Sequence, residues 1–162
     1  MRGARALNCD DGGMPERSHQ PVVLVSAVAL VDDLQLPTRV LAARRTRPAD
    51  LAGGWEFPGG KVEPEETSQQ AVHREILEEL GVRVRLGDRV GPAAWPLSPT
   101  AVMDLWWAVV RPGEPAPAPL QDHDQVRWLT REELFEVAWL SADLPIVEHL
   151  AGLLHTPRSS PT

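Results

Sequence analysis

The order of extended and helical segments predicts an α/β domain, of α+β type, built on a mixed β-sheet. Three observations carry this. Runs rich in β-branched residues are interspersed with helical patterns instead of being grouped apart. No internal repeat stands out. The length of 162 residues is that of one ordinary domain, and such a chain hides roughly two-thirds of its unfolded surface, enough for a core without staples.

The elements follow in order. Residues 1–20, rich in Gly, Arg and Asp, are expected to form a flexible N-terminal extension, in which Met14 offers an internal alternative start. The folded domain is expected over 21–155. Residues 22–31 are rich in valine and read as a buried strand. Asp32-Asp33 marks a turn, and 39–44 a second strand. Residues 45–54, with Pro48 and Gly53-Gly54, form a loop. Trp55-Glu56-Phe57 is a short extended piece stopped by Pro58-Gly59-Gly60. Residues 66–80 make the clearest helix: Thr67 suits the N-cap, Gln70 completes a capping box, and Gly81 is a natural stop. Strands are expected at 82–86, 101–110 and 126–129, with a Pro/Ala connector at 112–119. Thr130 with Glu133 predicts a second capped helix. Residues 144–154 predict a last helix, and 156–162 a tail that frays from Pro157.

Composition removes several function classes. Hydrophobic residues at 43% and charged residues at 24% describe a globular chain, not a disordered one. The 16 basic and 23 acidic residues leave a net charge of −7, with no basic run. That disfavours a grip on a nucleic-acid polymer, which needs a basic face, and a polybasic membrane-surface segment. Cys9 is the one cysteine, so no intrachain disulfide forms and a reducing compartment fits. The first 20 residues show no apolar core of a signal peptide. The longest apolar run, at 22–31, is broken by Ser26 and too short to span a bilayer. A cytoplasmic protein without a membrane partner is expected, either monomer or homodimer.

The chemistry concentrates at 60–82. On a helix of 3.6 residues per turn, Glu75, Glu78 and Glu79 stand at i, i+3 and i+4 and share one face. Ile76 and Leu80 supply a packing stripe beside them. Adjacent like charges repel, and a cation reverses that penalty; oxygen ligands at this density suit Mg²⁺ or Mn²⁺. Glu66 adds a further candidate carboxylate. Three glutamates alone more often mark a solvated face. The preceding Pro58-Gly59-Gly60-Lys61 shifts the balance, because glycine lets backbone atoms approach an ion or phosphate and Lys61 adds a cation.

This segment resembles the Nudix box position for position: Gly60, Glu66, Arg74-Glu75, Ile76, Glu78-Glu79, Gly81 and Val82. Seven fixed residues would coincide by chance on the order of once in a million such chains. The resemblance implies an α/β/α sandwich with a mixed sheet and a loop–helix–loop catalytic motif. It also implies hydrolysis of a nucleoside diphosphate linked to another group, with Mg²⁺ or Mn²⁺ as cofactor. Carried over by position, Glu78 and Glu79 are metal ligands, with the Gly59 carbonyl as a further one. Glu75 is a base or metal-bridging carboxylate that activates water, and Arg74 orients it by ion pairing. Glu66 pairs structurally or supports the metal shell, while Gly60 and Gly81 shape the motif.

The lead-in WEFPGGK, together with LAARR, is similar to the MutT-type branch, which converts nucleoside triphosphates to monophosphate and pyrophosphate. There Arg44 and Lys61 match phosphate-contacting positions; for Arg44 a solvated surface charge is an equal reading. A further acidic ligand, six residues before a tryptophan, falls on Asp122, with Asp124 as rival. Asp143, just before the last helix, matches a base-reading position, and a helix N-cap is its plainer role. WEFPGGKVEPEE and WLSADLP are most similar to members described as CTP pyrophosphohydrolases and to actinobacterial homologues that accept cytosine nucleotides. The 8-oxo-dGTP prototype carries Asn where Asp143 stands. The expected function is therefore nucleotide-pool sanitation by a (deoxy)nucleoside triphosphate diphosphatase, acting on 8-oxo-dGTP or on CTP, dCTP or 5-methyl-dCTP. The alternatives are hydrolysis of another nucleoside diphosphate derivative and a non-catalytic nucleotide sensor; sensors usually lose a box carboxylate, and here all are present.

Two residue types carry plainer expectations. Trp106 and Trp107 on one strand should send a ring to each face, one of them a candidate pocket wall; Trp55 should pack beneath the glycines. His73, His123, His149 and His155 show no zinc spacing and are expected on the surface.

Overall fold

The protein's structure, a computed structural model, describes residues 22–156. The expected extension with Cys9 and Met14, and the tail from Pro157, lie outside the described residues. In chain order the elements are β1 (Val23–Leu30), β2 (Arg39–Arg45), β3 (Trp55–Glu56), β4 (Gly59–Lys61), α1 (Ser68–Leu80), β5 (Val84–Arg89), β6 (Trp95–Ser98), β7 (Ala101–Val110), β8 (His123–Thr130) and α2 (Leu144–Ala151). A 3-10 turn covers Leu134–Glu136.

Two sheets result. The larger has the order β4-β1-β7-β5, with β6 paired to the free end of β7; the smaller has the order β3-β2-β8. β1 and β7 run parallel from Val23↔Ala101 to Leu30↔Ala108, and the other pairs are antiparallel. A bridge between Val31 and Val40 joins the sheets at the β1–β2 connection. The mixed sheet of the sequence reading is thus divided into two.

Strand alternation builds a layer on either side. Ala27, Ala29 and Val31 face one cluster, which Ile146, Val147 and Leu150 of α2 close from outside. Val28 and Leu30 face the other, closed by Val72, Ile76 and Leu80 of α1. This gives the α/β/α sandwich that the sequence implies. Burial of these aliphatic side chains supplies the main driving force, at roughly 25 cal/mol per Å² of apolar surface.

The helix that matters starts two residues later than expected, at Ser68. Thr67 is its N-cap: its side chain accepts from the Gln70 N–H, and the Gln70 side chain accepts from the Thr67 N–H. Gly81 ends it in the left-handed conformation, φ 68°, which glycine adopts without strain. The strand at 101–110 lies as expected. Four other expectations need correction. β5 is shifted and runs to Arg89, and β8 begins three residues earlier, at His123. The capped helix after Thr130 is a single 3-10 turn, in which only the Glu133 carboxylate caps the Thr130 N–H. The last helix stops at Ala151, because Gly152 follows. Two strands were not expected: β6, and β4 at the glycines.

Trp106 and Trp107 do send rings to opposite faces, Trp107 into the cluster under α2 and Trp106 into that under α1. Neither lines the main cavity; the Arg89 guanidinium stacks over Trp106 at 5.0 Å. Trp55 is buried in the core, and Phe57 beside it stacks on Trp139 at 4.8 Å.

Candidate active site

The glycines after Pro58 form a strand, not a loop. β4 pairs with β1 through Ala27↔Gly59, Ser26↔Gly60 and Val25↔Lys61. A side chain at Gly59 would put its Cβ 2.3 Å from the Ser26 carbonyl oxygen and 2.5 Å from the Ala27 Cα. A Cβ at Gly60 would lie 2.4 Å from the Glu75 carboxylate. The absence of side chains therefore lets β4 lie flat on β1 and lets Glu75 rest on its back.

α1 lies over this strand and presents the acidic residues. Glu75 and Glu79 turn inward and line the cavity, whereas Glu78 is exposed. Glu79 is 8% exposed, and its Oε2 accepts from the Gly59 N–H at 2.9 Å. Burial pushes its pKa up to about 7; His123 opposes that, and the nearby Glu56 charge adds to it. Arg74 organises the outer side. Its Nε and Nη2 donate to the two oxygens of Glu66 at 2.9 Å, and its Nη1 donates to Glu75 at 2.7 Å. Glu78 comes within 3.8 Å of the same nitrogen. Arg74 holds the Glu66 carboxyl below its usual range, and Glu66 in turn raises the guanidinium.

One cavity of about 520 Å³ lies against these groups. Glu75, Glu79, Lys61, Asp122 and Asp143 all line it, together with the apolar Phe57, Leu51 and Leu140. Asp143 is 3% exposed and its Oδ1 has no partner among the described residues. It stands at the N-cap of α2 but makes no side-chain cap bond, so capping is not its role. Burial pushes its carboxyl up to about 7, and the Glu56 charge adds to the shift.

The other expected residues fall as follows. Arg44 is turned away from the cavity lining and is held by both Asp124 oxygens, at 2.8 and 2.9 Å; that pairing lowers the Asp124 pKa. Asp122 lines the cavity and its carboxylate pairs with Arg47. Lys61 stands exposed at the end of β4. Gly81 lies outside the cavity lining.

Two polar residues of the wall, Arg45 and Glu56, and a third behind it, His123, were not expected there. Arg45, not Arg44, faces the cavity, since neighbours on a strand leave opposite faces. Its Nη1 donates to both oxygens of Glu56, at 2.9 and 3.0 Å. His123, expected on the surface, is buried and meets Glu56 Oε1 through Nε2 at 2.9 Å. Burial works against its charged form, but the Glu56 bond and the Glu79 charge outweigh this and raise its pKa. His73, His149 and His155 are exposed as expected. A glutamate between Trp55 and Phe57, whose rings both enter the core, was the available signal for Glu56: its side chain must leave the other face of a buried strand.

The donor chemistry of the site fits a hard divalent cation. Carboxylates of Glu75, Glu78, Glu79 and Asp122 and the Gly59 carbonyl are all oxygen ligands. Among the described residues no three acidic or histidine side chains stand grouped within ligand reach; Arg74 pairs with Glu75 and lies 3.8 Å from Glu78.

An acidic helix laid across a glycine strand, at the mouth of a nucleotide-sized cavity, is the equipment of a phosphoanhydride hydrolase. Residues 22–150 match the family model described as NUDIX domain. The chain belongs to this family. It is 41% identical over 119 residues to a Mycobacterium tuberculosis protein carried under the provisional name 8-oxo-dGTP diphosphatase 2, covering 72% of this chain and 82% of the relative. It is 32% identical over 130 residues to a protein of Escherichia coli K12 named CTP pyrophosphohydrolase, covering 80% and 93%. The crystal structure of a MutT NUDIX hydrolase from Burkholderia pseudomallei superposes with a TM-score of 0.62 at 28% identity, covering 81% and 98%. The chain is a MutT-like Nudix hydrolase acting on phosphoanhydride bonds. No helix among the described residues is long and apolar enough to cross a membrane.

Proposed function

We propose that this chain is a Mg²⁺-dependent diphosphatase of free (deoxy)nucleoside triphosphates, with Mn²⁺ able to replace Mg²⁺, and that it serves nucleotide-pool sanitation, and so DNA repair, in the cytoplasm. One observation carries the reading. A single cavity of about 520 Å³ is lined both by the box carboxylates Glu75 and Glu79 and by the buried Asp143, whose Oδ1 has no partner among the described residues. That volume lies within the roughly 300–1,000 Å³ of small-molecule sites, and a lining that holds both groups suits a phosphate chain and a base.

In this reading Glu75, Glu78, Glu79, the Gly59 carbonyl and Asp122 hold the cation. Bound there, it supplies charge neutralisation for the phosphates and a more acidic water. Glu75 takes the proton of the attacking water as the α–β anhydride opens, and Arg74 keeps that carboxylate aimed. Glu66 anchors Arg74. Lys61 meets the phosphates from the edge of β4, and Arg44 reaches them only if it leaves Asp124. Asp143 meets the base edge. As a carboxylate it accepts from a cytosine amino group, and as a carboxylic acid it donates to an oxo group.

The test is pyrophosphate release from a panel of CTP, dCTP, 5-methyl-dCTP, 8-oxo-dGTP and the ordinary triphosphates with Mg²⁺. At least one should turn over, and Glu79→Gln should lower that turnover roughly a hundredfold or more, because it removes a direct ligand. No turnover of any triphosphate would overturn the proposal; turnover unchanged in Glu79→Gln would overturn the ligand assignment.

A further inference from the structure

We propose that Arg45, Glu56 and His123 form a positioning relay that fixes the Glu79 carboxylate from behind, so that Glu56 and His123 govern how well the acidic helix takes a divalent cation. The proposal rests on the reading of Glu79 as a ligand.

The three residues come from β2, β3 and β8, the whole of the smaller sheet, while Glu79 comes from α1. The relay is thus the polar contact by which that sheet reaches the catalytic helix. Its order is fixed by distances. Arg45 is anchored first, its Nε donating to the Arg47 carbonyl at 2.7 Å. Its Nη1 straddles both Glu56 oxygens, at 2.9 and 3.0 Å. Glu56 Oε1 then meets His123 Nε2 at 2.9 Å. The opposite ring nitrogen, Nδ1, lies 3.9 Å from Glu79 Oε1. The second Glu79 oxygen is already occupied by the Gly59 N–H. The carboxylate therefore sits between a backbone donor and an imidazole edge, both held by β-sheet.

A purely structural polar cluster would satisfy its members, and this one does not. The His123 side chain is fully buried, yet Nδ1 has no hydrogen-bond partner among the described residues. Buried polar atoms are nearly always paired, and this one faces a carboxylate just beyond bonding reach. Such a gap closes with a small movement of Glu79, the movement expected when that side chain turns to a cation. Groups that bond to ligating side chains typically set metal affinity within a factor of 10 to 100. Arg45 and Glu56 fix the plane of the ring, which a freely rotating histidine would lack.

The experiment is a titration of the purified full chain with Mn²⁺ alone, following free Mn²⁺ by electron paramagnetic resonance, alongside a thermal melt and nucleotide kinetics. His123→Gln keeps a nitrogen near Glu56 and removes the one facing Glu79; it should weaken Mn²⁺ roughly tenfold or more. Glu56→Gln should weaken it several-fold, by freeing the ring. In both variants kcat should fall while KM for the nucleotide stays near wild type. Glu148→Gln, an exposed position on α2, should bind Mn²⁺ as wild type does. If His123→Gln does not fold, His123→Asn, which leaves a nitrogen near the δ position but cannot reach Glu56, should weaken Mn²⁺ several-fold, as Glu56→Gln does. Mn²⁺ affinity within twofold of wild type in a folded His123 variant would overturn the relay. If Glu79→Gln also leaves Mn²⁺ affinity unchanged, the ligand reading fails as well; if it abolishes binding, the relay alone has failed.

Discussion

Replacing Asp143 by asparagine should change how stability depends on pH, and the size of the change follows from its burial. The carboxyl is 3% exposed, and its pKa is pushed from 3.8 to about 7. In the unfolded chain it ionises near its ordinary value. Below pH 3.8 both states hold the proton and Asp143 contributes no pH dependence. Between there and about pH 7 the folded state keeps a proton that the unfolded state has released, so stability falls as pH rises. Above that the whole difference is lost to stability. At about 1.36 kcal/mol per pH unit, the gap amounts to about 4 kcal/mol. The amide in Asp143→Asn has no such titration. Urea unfolding of wild type and Asp143→Asn at intervals from about pH 4 to about pH 8.5, a range that brackets the shift, gives the stability difference at each pH. Any fixed cost of an imperfectly bonded amide is common to every point and cancels, as does Glu79, which is present in both proteins. The variant should gain on wild type by about 4 kcal/mol across the range. A difference that stays constant with pH would refute the claim that burial keeps the Asp143 carboxyl protonated up to about pH 7.

Three further outcomes follow from the geometry. Gly59→Ala drives a Cβ into the β1 backbone; the denaturant midpoint should drop by an equivalent of about 3 kcal/mol or more, since backbone cannot step aside as a side chain does. Thr67→Ala breaks the capping box of α1 and should cost about 1 kcal/mol of stability in the same measurement. Arg74→Lys keeps the charge but loses the fork that spans Glu66 and Glu75. Turnover should fall roughly tenfold or more with the melting temperature nearly unchanged; a wild-type rate would show that Glu75 needs no such support.

The parts of the molecule that could be foreseen are those where side chains carry the signal locally. β7 is a run of apolar and aromatic residues broken only by Asp104, and its ends were visible. α1 announces itself by Thr67, Gln70 and Gly81, each acting within four residues. β4 is held by backbone hydrogen bonds between glycines and β1, so no side-chain pattern marks it. β6 carries Pro96, which suits only an unpaired edge and reads as a loop. Thr130 and Glu133 satisfied the pattern of a helix start, but the chain leaves after one turn, because Trp139 and Leu140 are drawn back to pair with Trp55. In the site, the placing of Glu75, Glu78 and Glu79 on one helix was legible from their spacing, and the rest of the box from its resemblance to a known family motif. His123 was not, because its partner Glu56 lies 67 positions away. Nor was the choice between Arg44 and Arg45, which depends on which face of β2 turns toward the cavity.

The pairing of the sheets has a consequence for how the molecule assembles. β1 meets its parallel neighbour at Val23↔Ala101, and β2 meets β8 at Arg39↔Thr130. Both contacts span about half of the chain, so loop closure must be completed before either sheet rewards it. As the polypeptide leaves the ribosome, β1, β4 and α1 emerge together, well ahead of the strands that finish their support. The acidic helix can thus be present early, but the His123 edge arrives only with the eighth strand. On the proposed reading, competence to hold the cation is therefore a late acquisition in the life of the chain, gained when the last strand closes and not when the motif itself takes shape.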